Sequence, residues 1–281
     1  MSTTRRSPLL SVWLLLCYTF LYAPIVILII FSFNESKLVT VWAGFSTKWY
    51  GELLQDRQML SAAWLSLRLA LMSATAAVAL GTLAGLVMAR FGRFRGHNIF
   101  ASMITAPLVM PEVITGLSML LLFVSMEKVI GWPAGRGMIT LWIAHVTFCA
   151  AFVAVVITSR LREMDVSIEE AAMDLGAPPF KVFTAITLPI IMPAIASGWL
   201  LAFTLSLDDL DISSFVAGPG ATTLPMKVFS SVRLGVSPKI NALATIVVLF
   251  VSVCAVVAGI LMFRAERRRK FEIQAAMRDR A

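Results

Sequence analysis

Four carboxylates are unusual because they lie inside or beside long apolar segments. Glu112 is inside one such segment, and three aspartates follow another, namely Asp208, Asp209 and Asp211. A carboxylate withdrawn from water is costly unless it is paired or neutralised. Ionised carboxylates accept charge-assisted hydrogen bonds from ammonium groups. We therefore expect these four side chains to pair weakly with a cation during its passage. In the alternative interpretation, the aspartates form a solvated helix end.

A second group of polar residues forms a loop between two apolar segments, and residues 163–181 are named here the acidic loop. Ser167 and Glu170 have the spacing of a capping box, which predicts a helix that starts at Ser167. Gly176 supplies a residue that tolerates the left-handed conformation at a helix end, and the prolines that follow prevent continuation. Between these ends, one apolar face recurs at helical spacing. It consists of Ile168, Ala171, Ala172 and Leu175.

The predicted helix of the acidic loop needs a surface to pack on. Isolated helices below about 12–15 residues are marginal in water, so its apolar face must be covered. Its polar side carries acidic residues, with no Lys or Arg between Glu163 and Asp174. These features predict that the helix docks in a partner groove with a basic rim. A connector that lies on its own protein or on the membrane surface is the alternative.

The composition is that of a membrane protein. The chain of 281 residues is 59% hydrophobic and 14% charged, whereas soluble domains average about 45–50% and 25%. The net charge of +8 comes from basic residues at the ends of apolar segments rather than from an aromatic-studded face, so we expect no nucleic-acid partner. Neither the three cysteines nor the two histidines have the spacing of metal ligands, and no metal site is expected.

Six apolar segments have the length of about 20 helical residues that crosses the hydrocarbon core of a bilayer. They are Leu9–Phe33, Leu69–Ala89, Ile99–Met126, Met138–Ser159, Val182–Leu207 and Ile240–Phe263. Only the third contains a charge, Glu112, near its middle. The sequence therefore predicts an all-α integral membrane protein with six transmembrane helices in a single domain over residues 1–281.

The orientation of the predicted spans follows from the Lys and Arg residues of alternating loops, because these accumulate on the cytoplasmic side. With the N-terminus inside, the cytoplasmic segments carry fifteen of these residues and the outer loops carry eight. Both termini and the acidic loop are therefore predicted to be cytoplasmic. The basic tail, residues 264–281, is expected to lie against anionic lipid.

Prolines, glycines and one histidine predict how the spans bend and pack. The prolines that should kink or unwind their helices are Pro107 and Pro111 in the third span and Pro189 and Pro193 in the fifth. Such breaks are tolerated where neighbours or a cavity satisfy the freed carbonyls, so these two spans are expected to line a translocation path. Gly81 and Gly85 should let two helices approach closely. His145 is expected to be neutral and bonded to a neighbouring helix.

The acidic loop also carries a longer pattern. Glu170-Ala171-Ala172 is followed by Gly176 and then by Ile186 and Leu188-Pro189. This pattern resembles the EAA signature of ABC importer permeases. Other stretches resemble the polyamine subgroup of that family, namely Pro107–Phe123, Ser206–Pro219 and Leu224–Ile246. The likeness covers about residues 66–263, and it is strongest to the second permease of putrescine systems.

The resemblance implies a type I ABC importer permease fold in a bacterial inner membrane. It implies that the acidic loop holds a coupling helix for a cytosolic ATPase, with contacts by Ser167, Ile168, Glu170, Ala171, Ala172, Leu175 and Gly176. The implied partners are a sister permease, two ATPase subunits and a periplasmic polyamine-binding protein. ATP and Mg²⁺ would be used by the ATPase, and no cofactor is expected on this chain. The four carboxylates would match the two ammonium groups of a diamine by charge.

No G-x-x-x-x-G-K run occurs in the sequence, so we do not expect a nucleotide site of the P-loop type or an enzyme. We expect the permease subunit of an ATP-driven importer for a polyamine, with putrescine as the favoured cargo. The alternative is a secondary transporter of a small cation, driven by an ion gradient and with Glu112 as a proton relay, although no inverted repeat is visible. A structural membrane anchor for a cytosolic enzyme is a third interpretation.

Overall fold

The computed structural model describes residues 8–38, 41–92, 94–235 and 237–253, together with the single positions 256, 260 and 264. Within these residues the chain is helical, and its β-structure is an isolated bridge between Asn34 and Phe45. Five of the described helical segments are long and apolar enough to cross a membrane. The prediction of an all-α membrane protein is therefore confirmed.

The helices follow one another with short connections, and a π-helical segment, Phe183–Thr187, lies between α8 and α9. The first six are α1 (Pro8–Ser32), α2 (Lys48–Gln55), α3 (Arg57–Arg90), α4 (His97–Val109), α5 (Glu112–Ile130) and α6 (Met138–Glu163). They are followed by α7 (Ser167–Asp174), α8 (Pro179–Val182), α9 (Leu188–Asp208), α10 (Asp211–Val216), α11 (Leu224–Leu234) and α12 (Pro238–Val253).

The third predicted span is not one helix. The prediction of a continuous span from Ile99 to Met126 is wrong, because the chain breaks at Met110 and Pro111 between α4 and α5. A proline disfavours the helical conformation in the residue before it, and Met110 is extended with ψ 136°. Glu112 is consequently the first residue of α5, and its predicted position near the middle of a span is also wrong.

The fifth predicted span is continuous but irregular. It runs as Pro179–Asp208 and includes the π-helical segment. Pro189 has no N–H to donate to the carbonyl of Ala185, four residues earlier, and the wider π turn is found at that place. Together with the break before α5, this confirms the prediction that the proline-containing spans are locally distorted.

The sixth predicted span, Ile240–Phe263, is only partly covered by the described residues. Its described part, α12, is shorter than the other spans, and most of the remainder lies outside the described residues. The N-terminal residues 1–7 and the basic tail beyond residue 264 also lie outside them. Six spans with both termini in the cytoplasm therefore stay a prediction.

The chain divides into two compact units, Met1–Arg57 with Ser231–Ala281, and Gln58–Ser230. In the first unit, the buried Asn34 organises the chain after α1. Its Nδ2 donates to the Val41 carbonyl at 2.7 Å, and its own carbonyl accepts a bond from Trp49 Nε1 at 2.6 Å. Lys239 Nζ lies 3.2 Å from Asp56 Oδ2 in the same unit. These polar contacts hold the connection between α1 and α2.

The second unit is built around α6, which contributes a row of fully buried side chains that includes Leu141, Cys149, Val153, Ile157 and Leu161. Gly81 and Gly85 of α3 face this row. A Cβ on Gly81 would lie 2.6 Å from Val153 Cβ, and one on Gly85 would lie 2.9 Å from Ile157 Cγ2. On α9, Gly198 also faces Val153. The predicted close approach at the two α3 glycines is confirmed.

Candidate functional site

The four carboxylates of the sequence analysis do gather in space. Gly116, one turn after Glu112 on α5, packs against α10. A Cβ at that glycine would lie 2.8 Å from Phe215 Cδ2 and 3.1 Å from Ile212 Cα. This close contact brings the start of α5 to the corner between α9 and α10. Glu112 is near enough to interact electrostatically with Asp208, Asp209 and Asp211.

The members of this carboxylate cluster have different environments. Glu112, Asp208 and Asp211 are exposed, whereas Asp209 is 7% exposed. Both Asp209 oxygens are engaged, because they accept hydrogen bonds from Ile212 N at 3.2 Å, Ser213 N at 2.8 Å and Ser213 Oγ at 2.7 Å. These bonds satisfy free amides at the start of α10. Asp209 therefore caps α10, and in this geometry it is not open to a passing cation.

His145 of α6 meets Asp209 from the interior. Its Nδ1 lies 2.7 Å from Ser206 Oγ, and its Nε2 lies 3.0 Å from Ser213 Oγ and 3.3 Å from Asp209 Oδ2. A neutral imidazole protonated on Nε2 satisfies these contacts, because Ser206 then donates to Nδ1, Nε2 to Ser213 and Ser213 to Asp209. Burial acts to raise the pKa of Asp209, but the bonds from His145 and Ser213 hold this pKa below its usual range. The prediction that His145 bonds to neighbouring helices is confirmed.

The acidic loop contains the predicted short helix, α7, and its end has the predicted geometry. Gly176 has a φ of +86°. The Gly176 amide donates to the Met173 carbonyl at 2.8 Å, and the Ala177 amide donates to the Ala172 carbonyl at 3.1 Å. This pair of bonds is a Schellman motif, which requires a left-handed residue after the helix. The left-handed conformation predicted for Gly176 is confirmed.

The start of α7 differs from the prediction. The helix begins at Ser167, but the predicted capping box of Ser167 and Glu170 is wrong. Asp165 Oδ1 instead accepts the Ser167 amide at 3.0 Å, as in an Asx turn. Hydrogen bonds from the Ser167 backbone and side chain lower the pKa of the Asp165 carboxyl. The sequence offered acceptors at both positions, and the turn before the helix decided between them.

The predicted apolar face of α7 is turned away from the rest of the second unit. Ile168 is 45% exposed and Leu175 is 90% exposed; of the two alanines between them, Ala171 is exposed and Ala172 is half-buried. Met173 and Phe180 add exposed apolar surface to the same loop. The spacing pattern missed these two because they lie outside its i, i+3, i+4, i+7 series. Hydrophobicity within an otherwise acidic loop was the signal for them.

Glu169 contradicts the prediction of a uniformly negative polar face. It is the only buried residue of α7. Thr187 Oγ1 donates to Glu169 Oε1 at 2.6 Å, and Arg90 Nε lies 2.8 Å from Glu169 Oε2. The charge is therefore paired inside the protein and does not contribute to a negative surface. The sequence analysis missed this function because the partners lie 79 positions before and 18 positions after Glu169.

Comparisons with known proteins give a consistent result. Residues 81–271 match the family described as binding-protein-dependent transport system inner membrane component. The chain is 69% identical to the putrescine transport system permease protein PotI of Escherichia coli K12, over 97% of both chains. It is 44% identical to the spermidine/putrescine transport system permease protein PotC of the same strain, over 88% of this chain and 90% of PotC.

Two solved structures share the fold. A chain of a bacterial ABC transporter involved in the import of the acidic polysaccharide alginate has a TM-score of 0.67 and 16% identity, over 89% of this chain and 93% of that one. A chain of the MetNI methionine ABC transporter in an inward-facing conformation has a TM-score of 0.60 and 15% identity, over 74% of this chain and 95% of that one. At these identities the likeness concerns the fold alone.

The capping function of Asp209 predicts a difference in stability between two neighbouring aspartates. Asp209→Asn should lower the free energy of unfolding by roughly 1–3 kcal/mol, because it weakens a buried cap and its contact with His145. The exposed Asp211→Asn is the control and should change it by less than about 0.5 kcal/mol. Thermal unfolding in mild detergent measures both variants. Equal melting temperatures would contradict the capping function.

Proposed function

This chain belongs to the family of inner membrane components of binding-protein-dependent transport systems, and we propose that it is the permease subunit of an ATP-driven importer of a polyamine, with putrescine as the cargo. The observation that carries this proposal is the likeness to a putrescine permease over almost the whole of both chains. The fold shared with permease chains of ABC transporters supports it.

Energy for import comes from a separate subunit in this proposal. The sequence has no P-loop, so ATP and Mg²⁺ are bound and used by a cytosolic ATPase present in two copies. A sister permease completes the path, and a periplasmic binding protein delivers the polyamine. This chain supplies half of the path and contributes no cofactor.

The acidic loop is the proposed docking site for the ATPase. The exposed apolar side chains of Ile168 and Leu175 on α7, with Met173 and Phe180 beside them, form the kind of surface that marks a protein interface. Ala171, Ala172 and the exposed Glu170 complete the docking face, and Ser167 and Gly176 set the two ends of its helix. Exposed acidic groups around this surface favour a partner groove with a basic rim.

The exposed part of the carboxylate cluster is the proposed contact for the cargo. Glu112, Asp208 and Asp211 are exposed and lie on two different elements, α5 and the α9–α10 corner. Carboxylates on separate elements suit a diamine, whose two ammonium groups are joined by an apolar linker. Weak pairing serves transport better than tight binding, because the cargo must also leave. Asp209 supports this arrangement through the cap of α10.

The first test concerns docking. Gly176→Leu should abolish both co-purification with the ATPase and putrescine uptake, while the variant still inserts in the membrane. A branched side chain is disfavoured at the observed positive φ, and open space around this glycine leaves the backbone as the single cause. Gly176→Asn is the matched control, because Asn tolerates this conformation, and it should retain most of the uptake. Normal uptake by Gly176→Leu would refute the docking proposal.

The second test concerns orientation, for which we propose six spans with both termini in the cytoplasm. Single cysteines are placed at Thr47, Ala134 and Asn98, all exposed, in a background without Cys17, Cys149 and Cys254. An impermeant thiol reagent added from the periplasm should label the cysteines at 47 and 134 and leave the one at 98 unlabelled. The reverse labelling pattern would place the acidic loop outside and exclude a cytosolic ATPase there.

The third test concerns the carboxylates. Glu112→Gln and Asp208→Asn should each lower the maximal uptake rate for putrescine about tenfold, because each removes a charge-assisted contact worth roughly 1.5–3 kcal/mol. Affinity measured on the binding protein should not change. Glu127→Gln, at the other end of the same α5, is the control and should transport at the parental rate. Parental rates for all three variants would remove these carboxylates from the path.

A further inference from the structure

We propose that the carboxylate of Glu169 is a positioning group that transmits the movement of α7 to the spanning helices α3 and α9. The inference rests on the proposed function, because it requires that an ATPase moves α7. It concerns a residue next to the docking face and a contact within this chain. Its subject is how docking reaches the spans.

The first argument is how little else fixes α7 to its own protein. Glu169 is the one buried residue of this helix, whereas its larger apolar side chains are exposed. A helix that packs on its own chain normally buries its apolar face. Here the apolar face is free for a partner, and a carboxylate makes the inward contact. Movement of α7 must therefore act on the groups that hold Glu169.

The second argument is that the two oxygens of Glu169 contact two different spans. Oε2 faces Arg90, in the last turn of α3, and Oε1 accepts the hydroxyl of Thr187, the last residue of the π-helical segment before α9. Arg90 stands where a cation is favoured by the dipole of α3, and Glu169 stands where an anion is favoured by the dipole of α7. One carboxylate thus joins three elements that are distant in sequence.

The third argument is the electrostatic constraint on this contact. The side chains of Arg90 and Glu169 are 15% and 11% exposed. Arg90 Nη2 is buried and has no hydrogen-bonding partner among the residues that the structure describes. Separation of the two charges would leave a buried guanidinium uncompensated, which is strongly unfavourable. The pair is therefore expected to stay together, so that α7 and the end of α3 move as one.

The fourth argument is the surroundings of the contact. Arg90, Glu169 and Thr187 border a cavity of about 290 Å³, which is also lined by Met173 of α7 and Phe183 of the π-helical segment. Space beside α7 allows this helix to change its position without a steric clash. π-Helical turns recur at functional sites, where the backbone is easily rearranged. Thr187 places such a turn directly between Glu169 and α9.

The experiment measures coupling in the assembled transporter. The full complex is reconstituted in liposomes with its ATPase, its sister permease and its binding protein, and putrescine imported per ATP hydrolysed is recorded. Glu169→Gln keeps the shape and an acceptor for Thr187 but removes the charge. It should assemble and hydrolyse ATP, while the ratio of putrescine to ATP falls about tenfold, within the range for positions on a coupling network. A parental ratio would overturn the proposal.

Two further variants locate the effect in the contact itself. Thr187→Val conserves shape and removes the hydroxyl, and the ratio should fall here too. The double variant Arg90→Gln with Glu169→Gln should fall no further than Glu169→Gln alone, because both substitutions break the same pair. Additive losses would show two unrelated effects and overturn the proposal. If Glu169→Gln does not assemble, Thr187→Val decides the question by the same ratio.

The control is another long-range ion pair, Asp56 with Lys239, at 3.2 Å and with partly exposed side chains. Asp56→Asn should leave the ratio at the parental value, and an equal fall would show that any lost ion pair has this effect, which overturns the proposal. Failure of the proposed function has a different signature. In that case the parental protein does not co-purify with an ATPase, or its uptake continues without ATP.

Discussion

Close packing on α6 is the constraint on which the second unit depends. Hydrocarbon offers no hydrophobic force between spans, so helices in a membrane associate where small residues let them approach. Gly81 and Gly85 bring α3 onto the buried row of α6, and Gly198 brings α9 to the same Val153. Larger side chains at these glycines would push α3 and α9 away from α6. Both the carboxylate cluster and the partners of Glu169 are positioned by the helices packed in this way.

Both functional regions lie where regular helix stops. The carboxylate cluster forms at the break before α5 and at the corner after α9, and the acidic loop adjoins the π-helical segment. Backbone that leaves the helical ladder must find other partners at membrane depth. Asp209 supplies such partners for α10, and the proline-imposed breaks supply the ends on which charged side chains can stand. Prolines in the spans thus create positions for chemistry as well as bends.

Two acidic residues that look similar to their neighbours in the sequence are internal. Asp209 lies between the exposed Asp208 and Asp211 groups, and Glu169 lies beside the exposed Glu170. Each is buried because a basic or polar side chain from a distant helix meets it, His145 for Asp209 and Arg90 for Glu169. Buried charge is tolerated when it is paired and hydrogen-bonded. Adjacent carboxylates consequently take different functions, one toward a partner or cargo and one within the protein.

The sequence alone determined the membrane-spanning class, most span positions, the left-handed Gly176 and the family, because hydropathy, glycine conformation and motif spacing are local properties. Only the tertiary structure decided which carboxylates are buried. Helical spacing located Glu169 on a polar face, but its burial required Arg90 and Thr187, which the packing of α3 and α9 brings to it. The division at Pro111 was undecided for the same reason, because a proline within an apolar run is compatible with a kink or a break. Neighbouring helices select between the two.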